Sequence, residues 1–193
     1  MYEKYGQFID GKWHKSSNGE TYEVINPANE EVLGQASKAS PEDVNKALLS
    51  AQKGLEVWRK TPPWQRAYIL RRIADKMREK QDILAKWMTL EVGKPFAEAK
   101  GEVNGAADIY EWNAEETKRI YGQTVESRFE DTRVHVYYQP VGVVAALVPW
   151  NFPLVLSARK ISTALAAGCS VIVKPDVITP GVVMEQVEIC REC

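Results

Sequence analysis

The stretch Val141–Pro175, "VGVVAALVPWNFPLVLSARKISTALAAGCSVIVKP", decides the fold. Its first ten residues are almost wholly apolar with no polar alternation, and "SVIVK" at 170–174 reads the same way. A strand without alternation is predicted to be buried on both faces, which in practice means a parallel sheet flanked by helices. Between the two runs, Pro153 opens a helix through about Ala167, because a first-turn proline gives up an N–H that has no helical partner anyway. Gly168 ends that helix, and Thr179-Pro180 starts another. Strand, helix, strand, helix over 141–193 predicts a doubly wound, Rossmann-like α/β unit with a right-handed crossover.

Upstream, residues 133–138 alternate like an exposed or edge strand and stop at Pro140. Residues 96–121 read as a long helix with Val103, Ala107, Tyr110, Ala114, Thr117 and Tyr121 on one stripe, and Gly101 and Gly105 on it suggest close backbone approach. Before the break at "EVGKP" (91–95), one helical segment runs from about Trp64, with Ile69, Ile73 and Met77, then Ile83, Leu84, Trp87 and Met88. A first helix carries Val44, Ala47, Leu48, Ala51, Leu55 and Trp58, with Ser40-Pro41 as cap and first turn. Residues 7–36 read as strands, and Asp10-Gly11 marks a two-residue hairpin turn. The expected class is therefore α/β: a partial doubly wound parallel sheet preceded by a small β-sheet and three helices.

Composition excludes several partners. With 25 Lys and Arg against 26 Asp and Glu, the net charge of −1 supplies no field to attract nucleic acid. No apolar run approaches membrane-spanning length, and "MYEKYGQFIDGKW" lacks the basic-then-apolar pattern of a secretory leader. An odd count of three cysteines, Cys169, Cys190 and Cys193, fits a reducing, cytoplasmic setting. Cys190 and Cys193 form C-x-x-C, but no second pair or thioredoxin-like context accompanies them, so they read as ordinary helix positions. No metal-ligand spacing is present.

Open α/β sheets bind ligands at the carboxyl ends of their strands. "PWNFP" and "KPDVITP" both sit there, and are expected to converge on one hollow. The Asn151 amide is a neutral donor suited to a developing oxyanion. Lys174 offers a cation to ribose hydroxyls or phosphate. From pattern alone Asn151 equally fits a turn or cap before Pro153, and Lys174 an exposed loop lysine.

The run from Val141 to Pro180, with "EVGKP" and "EWNAEETKRIYG", resembles the aldehyde dehydrogenase superfamily along the whole chain, and "ADIYEWNAEETKRIYG" with Arg159 is most similar to the succinate-semialdehyde dehydrogenase branch. The resemblance implies an NAD or NADP enzyme in which a cysteine thiolate attacks a small aldehyde and hydride leaves for the nicotinamide. It implies residues 1–122 as the first part of the cofactor-binding domain, 123–140 as strands of an oligomerisation hairpin, and 141–193 as the start of the Rossmann-like unit. Asn151 matches the oxyanion asparagine. Val148, Pro149 and Trp150 match the strand end bordering the cofactor, and Lys174 the ribose lysine. Phe152, Val155, Leu156 and Arg159 match the aldehyde tunnel on one helix face, Arg159 serving as a carboxylate clamp or as a packing arginine.

Two departures follow. Val177, beside Asp176, stands where relatives carry an acid that grips the ribose, which admits NADP by removing repulsion against a 2′-phosphate. The nucleophilic cysteine, the general-base glutamate and the rest of the cofactor sheet are expected beyond Cys193, so the chain alone is expected to be inactive and prone to aggregate through its uncovered sheet. The alternatives are a naturally short nucleotide-binding or interaction subunit, and a binding module with only structural likeness.

Overall fold

The computed structural model describes residues 2–193. After a 3₁₀ turn at Tyr2–Lys4 come two antiparallel pairs: β1 (Gln7–Ile9) with β2 (Lys12–His14), and β3 (Thr21–Ile25) with β4 (Val32–Ser37). Asp10 and Gly11 adopt φ of 54° and 78°, the left-handed pair that a two-residue hairpin demands. Four helices follow: α1 (Pro41–Trp58), α2 (Pro63–Glu79), α3 (Gln81–Val92) and α4 (Phe96–Thr117). An exposed antiparallel hairpin, β5 (Gln123–Glu126) with β6 (Arg133–Val136), leads to β7 (Val143–Leu147), α5 (Pro153–Ala166), β8 (Ser170–Lys174) and α6 (Pro180–Glu192).

The opening sheet is two separate hairpins, and the predicted second helix is two. Lys80, at φ −95° and ψ 20°, closes α2 and opens α3. The apolar spacing runs through this break because both halves bury the same stripe, Leu70, Ile73 and Met77, then Leu84, Trp87 and Met88. The bend brings the Lys80 ammonium to Glu192 (2.8 Å) and Glu185 (3.6 Å) on α6. α4 stops at Thr117, so Tyr121 is exposed beyond it while Val103, Ala107, Tyr110 and Ala114 join the core. In α1, Ser40 and Asp43 form a reciprocal capping box, but Val44 and Leu48 are half open.

β7 and β8 pair in parallel, with Val143 opposite Ser170 and Leu147 opposite Lys174. The expectation of burial on both faces is corrected: Ala146 is buried, whereas Ala145 is exposed and Leu147 is 63% exposed. Among the described residues each of the two strands has one partner, and α1 and α5 cover the pair incompletely. Trp58 still ties α1 to the crossover helix by donating its indole N–H to the Leu165 carbonyl at 2.8 Å. No helix among the described residues is long and apolar enough to cross a membrane, and none of their His, Cys, Asp or Glu groups forms a metal cluster.

Candidate functional site

β7 ends at Leu147, and Val148 continues toward β8 by donating its N–H to the Lys174 carbonyl at 3.0 Å. The chain then turns through Pro149, Trp150 and Asn151, all exposed, before α5 begins. Phe152 is the residue before the helix, at φ −138°, and not on it as expected; only Val155, Leu156 and Arg159 share the helical face. A first-turn proline cannot donate, and Phe152 has no side-chain acceptor, which leaves the N–H groups of Leu154 and Val155 without a local partner. Glu102, from α4, fills both needs: its Oε1 accepts from Leu154 at 3.0 Å and Val155 at 3.1 Å. Leu156 donates to the Phe152 carbonyl at 2.9 Å, so every first-turn donor is accounted for without Asn151.

Glu102 also forms an ion pair with Lys94, their side chains being 2% and 10% exposed. The Lys94 ammonium lies 3.9 Å from the Phe152 ring centroid and donates at the long distance of 3.4 Å to the Asn151 carbonyl. Around this knot lies an open cleft of about 510 Å³ lined by Lys94, Glu98, Gly101, Glu102, Gly105, Asn151, Phe152, Val155, Leu156 and Arg159. The two glycines are not sites of close backbone approach. A Cβ at Gly101 would meet nothing within 4 Å, and one at Gly105 only Val155 at 3.8 Å, so their bare backbone widens the cleft wall.

The second junction repeats the device. At α6, Pro180 occupies the first turn, and Glu91 of α3 accepts from Gly181 at 2.6 Å and Val182 at 3.1 Å, and from the Tyr2 hydroxyl at 2.5 Å. Burial outweighs these three donors and pushes the Glu91 carboxyl up to about 7. Burial, reinforced by Glu91, also holds the Tyr2 phenol above its ordinary range. Lys174 is exposed at the end of β8, and Val177 is 54% exposed. Asp176 spends one oxygen on the Ile178 N–H at 3.1 Å, an Asx turn.

Thus Asn151, Phe152, Val155, Leu156 and Arg159 meet in one cleft, whereas Lys174, Asp176 and Val177 after β8, and Val148, Pro149 and Trp150 after β7, lie outside its lining. Sequence reasoning passed over Lys94, Glu98 and Glu102, and Lys160, which donates to the Leu147 carbonyl. The available signal was a helix start lacking a capping side chain, together with a lone glutamate beside Ala99, Val103 and Ala106 on a buried stripe. None of the three cysteines lines the cleft: Cys169 is 3% exposed, and burial pushes the Cys190 thiol up to about 12.

Asn151 and Arg159 thus line one cleft with Phe152, Val155 and Leu156, beside the carboxyl end of a parallel strand pair, the place where open α/β sheets bind ligands. The sequence profile of the aldehyde dehydrogenase family matches residues 13–193, and the chain belongs to that family. It is 47% identical over 173 residues to a glutarate-semialdehyde dehydrogenase of Pseudomonas aeruginosa, covering 90% of this chain and 36% of that one. Against the NADP(+) succinate-semialdehyde dehydrogenase of Escherichia coli the identity is 48% over 172 residues, covering 89% and 36%. The crystal structure of a betaine aldehyde dehydrogenase point mutant from Staphylococcus aureus in complex with NAD+ superimposes with a TM-score of 0.95 at 34% identity, covering 98% and 39%. The chain therefore spans little more than a third of the relatives it matches.

Proposed function

We propose that this chain is the N-terminal portion of an NAD(P)-dependent aldehyde dehydrogenase that oxidises an acid semialdehyde to the dicarboxylate, and that it contributes the oxyanion amide and the substrate clamp. The observation that carries the reading is the cleft itself, in which Asn151 and Arg159 stand over an apolar wall of Phe152, Val155 and Leu156. The names of the two semialdehyde dehydrogenases support the substrate class. The nucleophilic thiolate and the general base are assigned to sequence outside this chain: none of the three cysteines lines the cleft, and Glu102, which does, is engaged by Lys94 and the first turn of α5.

A bound nicotinamide would supply the hydride acceptor for the oxidation, and the residues of this chain that would hold it are those at the end of β8. Asn151 donates its side-chain N–H to the oxygen that gains charge as sulfur adds to the aldehyde carbon. Because Glu102 already accepts from the first turn of α5, the Asn151 Oδ1 is not drawn into a cap that would fix the amide away from the substrate. Arg159 pairs with the distal carboxylate, and Phe152, Val155 and Leu156 enclose the methylenes. The fit to the cofactor rests on Lys174, exposed at the end of β8 and in no ion pair among the described residues; it offers its ammonium to ribose hydroxyls or a 2′-phosphate. Asp176 is committed to its turn and Val177 carries no charge, an arrangement that tolerates NADP as well as NAD. The three free thiols suit a cytoplasmic location. The exposed β5–β6 hairpin is assigned to contacts between subunits of a homo-oligomer.

The test is Asn151→Ala in the complete enzyme. Loss of one oxyanion donor lowers turnover about 10²-fold or more with cofactor affinity unchanged. Wild-type turnover would return Asn151 to a turn residue and remove the reading.

A further inference from the structure

The catalytic reading assigns no role to the Lys94–Glu102 ion pair in the cleft wall. We propose that Lys94 and Glu102 are positioning residues for Asn151, a deepening that rests on the function proposed above. Three contacts converge on the turn from the α3–α4 side. Glu102 fixes the start of α5 through the N–H groups of Leu154 and Val155, three and four residues past Asn151. Lys94 pairs with that carboxylate, covers the Phe152 ring at 3.9 Å and reaches the Asn151 carbonyl at 3.4 Å. The backbone is thereby held immediately after the Asn151 side chain's attachment point, at its own carbonyl, at Phe152 and at the first turn of α5, while the Asn151 side chain makes no hydrogen bond among the described residues and its residue lines the cleft.

Burial makes the pair a stiff clamp. At 10% and 2% side-chain exposure neither charge is hydrated enough to drift, and each has its complement only in the other. Gly93, just before Lys94, is left-handed at φ 76° and accepts the turn that aims the lysine back over α4 and the α5 start. Pro95 then begins α4, so Lys94 is bracketed by the end of one helix and the start of the next, and its reach is set by both. Without the ammonium, Glu102 still caps α5, but nothing holds the Asn151 carbonyl or the Phe152 ring. The amide then samples orientations away from the oxyanion, and misplacement of this kind costs turnover more than ground-state binding.

The experiment is a double-mutant cycle in the complete enzyme. Lys94→Met, which keeps the stem and removes the charge, is expected to lower kcat about 10- to 10²-fold while KM for the aldehyde and cofactor affinity stay within about twofold. Lys94→Arg, which retains a cation able to stack on Phe152 and pair with Glu102, is expected to restore most of kcat. In an Asn151→Ala background, Lys94→Met is expected to add less than about threefold, because the group it positions is already gone. If Lys94→Met does not fold, Glu102→Gln keeps one acceptor for α5 and tests the same pattern in kcat. A Lys94→Met enzyme with wild-type kcat, or the same loss in both backgrounds, overturns the positioning role alone. Wild-type turnover in Asn151→Ala itself overturns the function reading, and this inference with it.

Discussion

Glu91 gives the fold a pH dependence that one substitution removes. It is fully buried, its ordinary value is 4.5, and burial raises it to about 7 in the folded chain. Between these values the folded protein keeps a proton that the unfolded chain releases. The contribution of this group to stability is therefore fully present below about pH 4.5 and is lost as pH rises through about 7. At about 1.4 kcal/mol per pH unit the gap corresponds to a loss on the order of 3 kcal/mol. Glu91→Gln abolishes the titration. It also leaves only one acceptor for the Gly181 and Val182 N–H groups, which now bond to different oxygens, so the variant starts about 1–3 kcal/mol less stable at low pH. Urea unfolding of both proteins from pH 5 to 8 measures the two effects together. The wild-type curve falls across the window, the Glu91→Gln curve is flatter, and the two converge toward high pH. Parallel curves at every pH would refute the raised carboxyl and the account of how α6 is capped.

Two further substitutions test the clamp and the packing. Arg159→Ala in the complete enzyme is expected to raise KM for succinic semialdehyde at least tenfold more than KM for an uncharged aldehyde of similar length; equal effects would discard the carboxylate contact. Gly181→Ala is expected to cost about 1–3 kcal/mol in urea unfolding, because a Cβ there would lie 2.3–2.4 Å from ring atoms of Trp87 and 2.7 Å from the Glu91 carboxylate. The Trp87 ring has no room to yield, being 3% exposed with the Tyr2 ring edge-on at 5.0 Å, and unchanged stability would show that it does.

What the sequence made legible was punctuation. Asp10-Gly11, Pro153, Gly168 and Pro180 each force a local backbone choice, and the structure turns, starts or stops an element at every one. The parallel pairing of β7 and β8 was legible for a related reason, since two unalternating apolar runs joined by a helix have few ways to pack. The break at Lys80 was not legible, because the apolar spacing on either side continues across it and the partners its ammonium meets lie on α6, more than a hundred residues away. Burial of β7 was overestimated for the converse reason: an apolar strand reports what it can be buried against, not how much of that cover the described residues supply. In the cleft, positions adjacent in sequence were recovered as a group, whereas Lys94 and Glu102 reach it from about fifty residues upstream: Lys94 sits in the EVGKP break, which reads as a helix boundary and not as a site, and Glu102 is marked only as a charge on a buried stripe.

Both strand–helix junctions solve one problem in one way. The first turn of a helix presents unpaired donors and the positive end of its dipole, and the usual remedy is a side chain from the capping residue itself. Here the proline at the first position removes one donor, and a buried glutamate from an earlier helix takes the next two, Glu102 at α5 and Glu91 at α6. The loops between strand and helix are thereby relieved of structural duty at the positions where open α/β sheets place their ligands. Asn151→Ala should accordingly leave the unfolding free energy within about 0.5 kcal/mol of wild type in urea even as it lowers turnover of the complete enzyme, the range of a surface change that breaks no named contact. Glu102→Ala should instead strand two buried N–H groups and the Lys94 charge, and cost several kcal/mol. Equal destabilisation by the two substitutions would mean that Asn151 shares the cap after all, and that fold and chemistry are not separated at this turn.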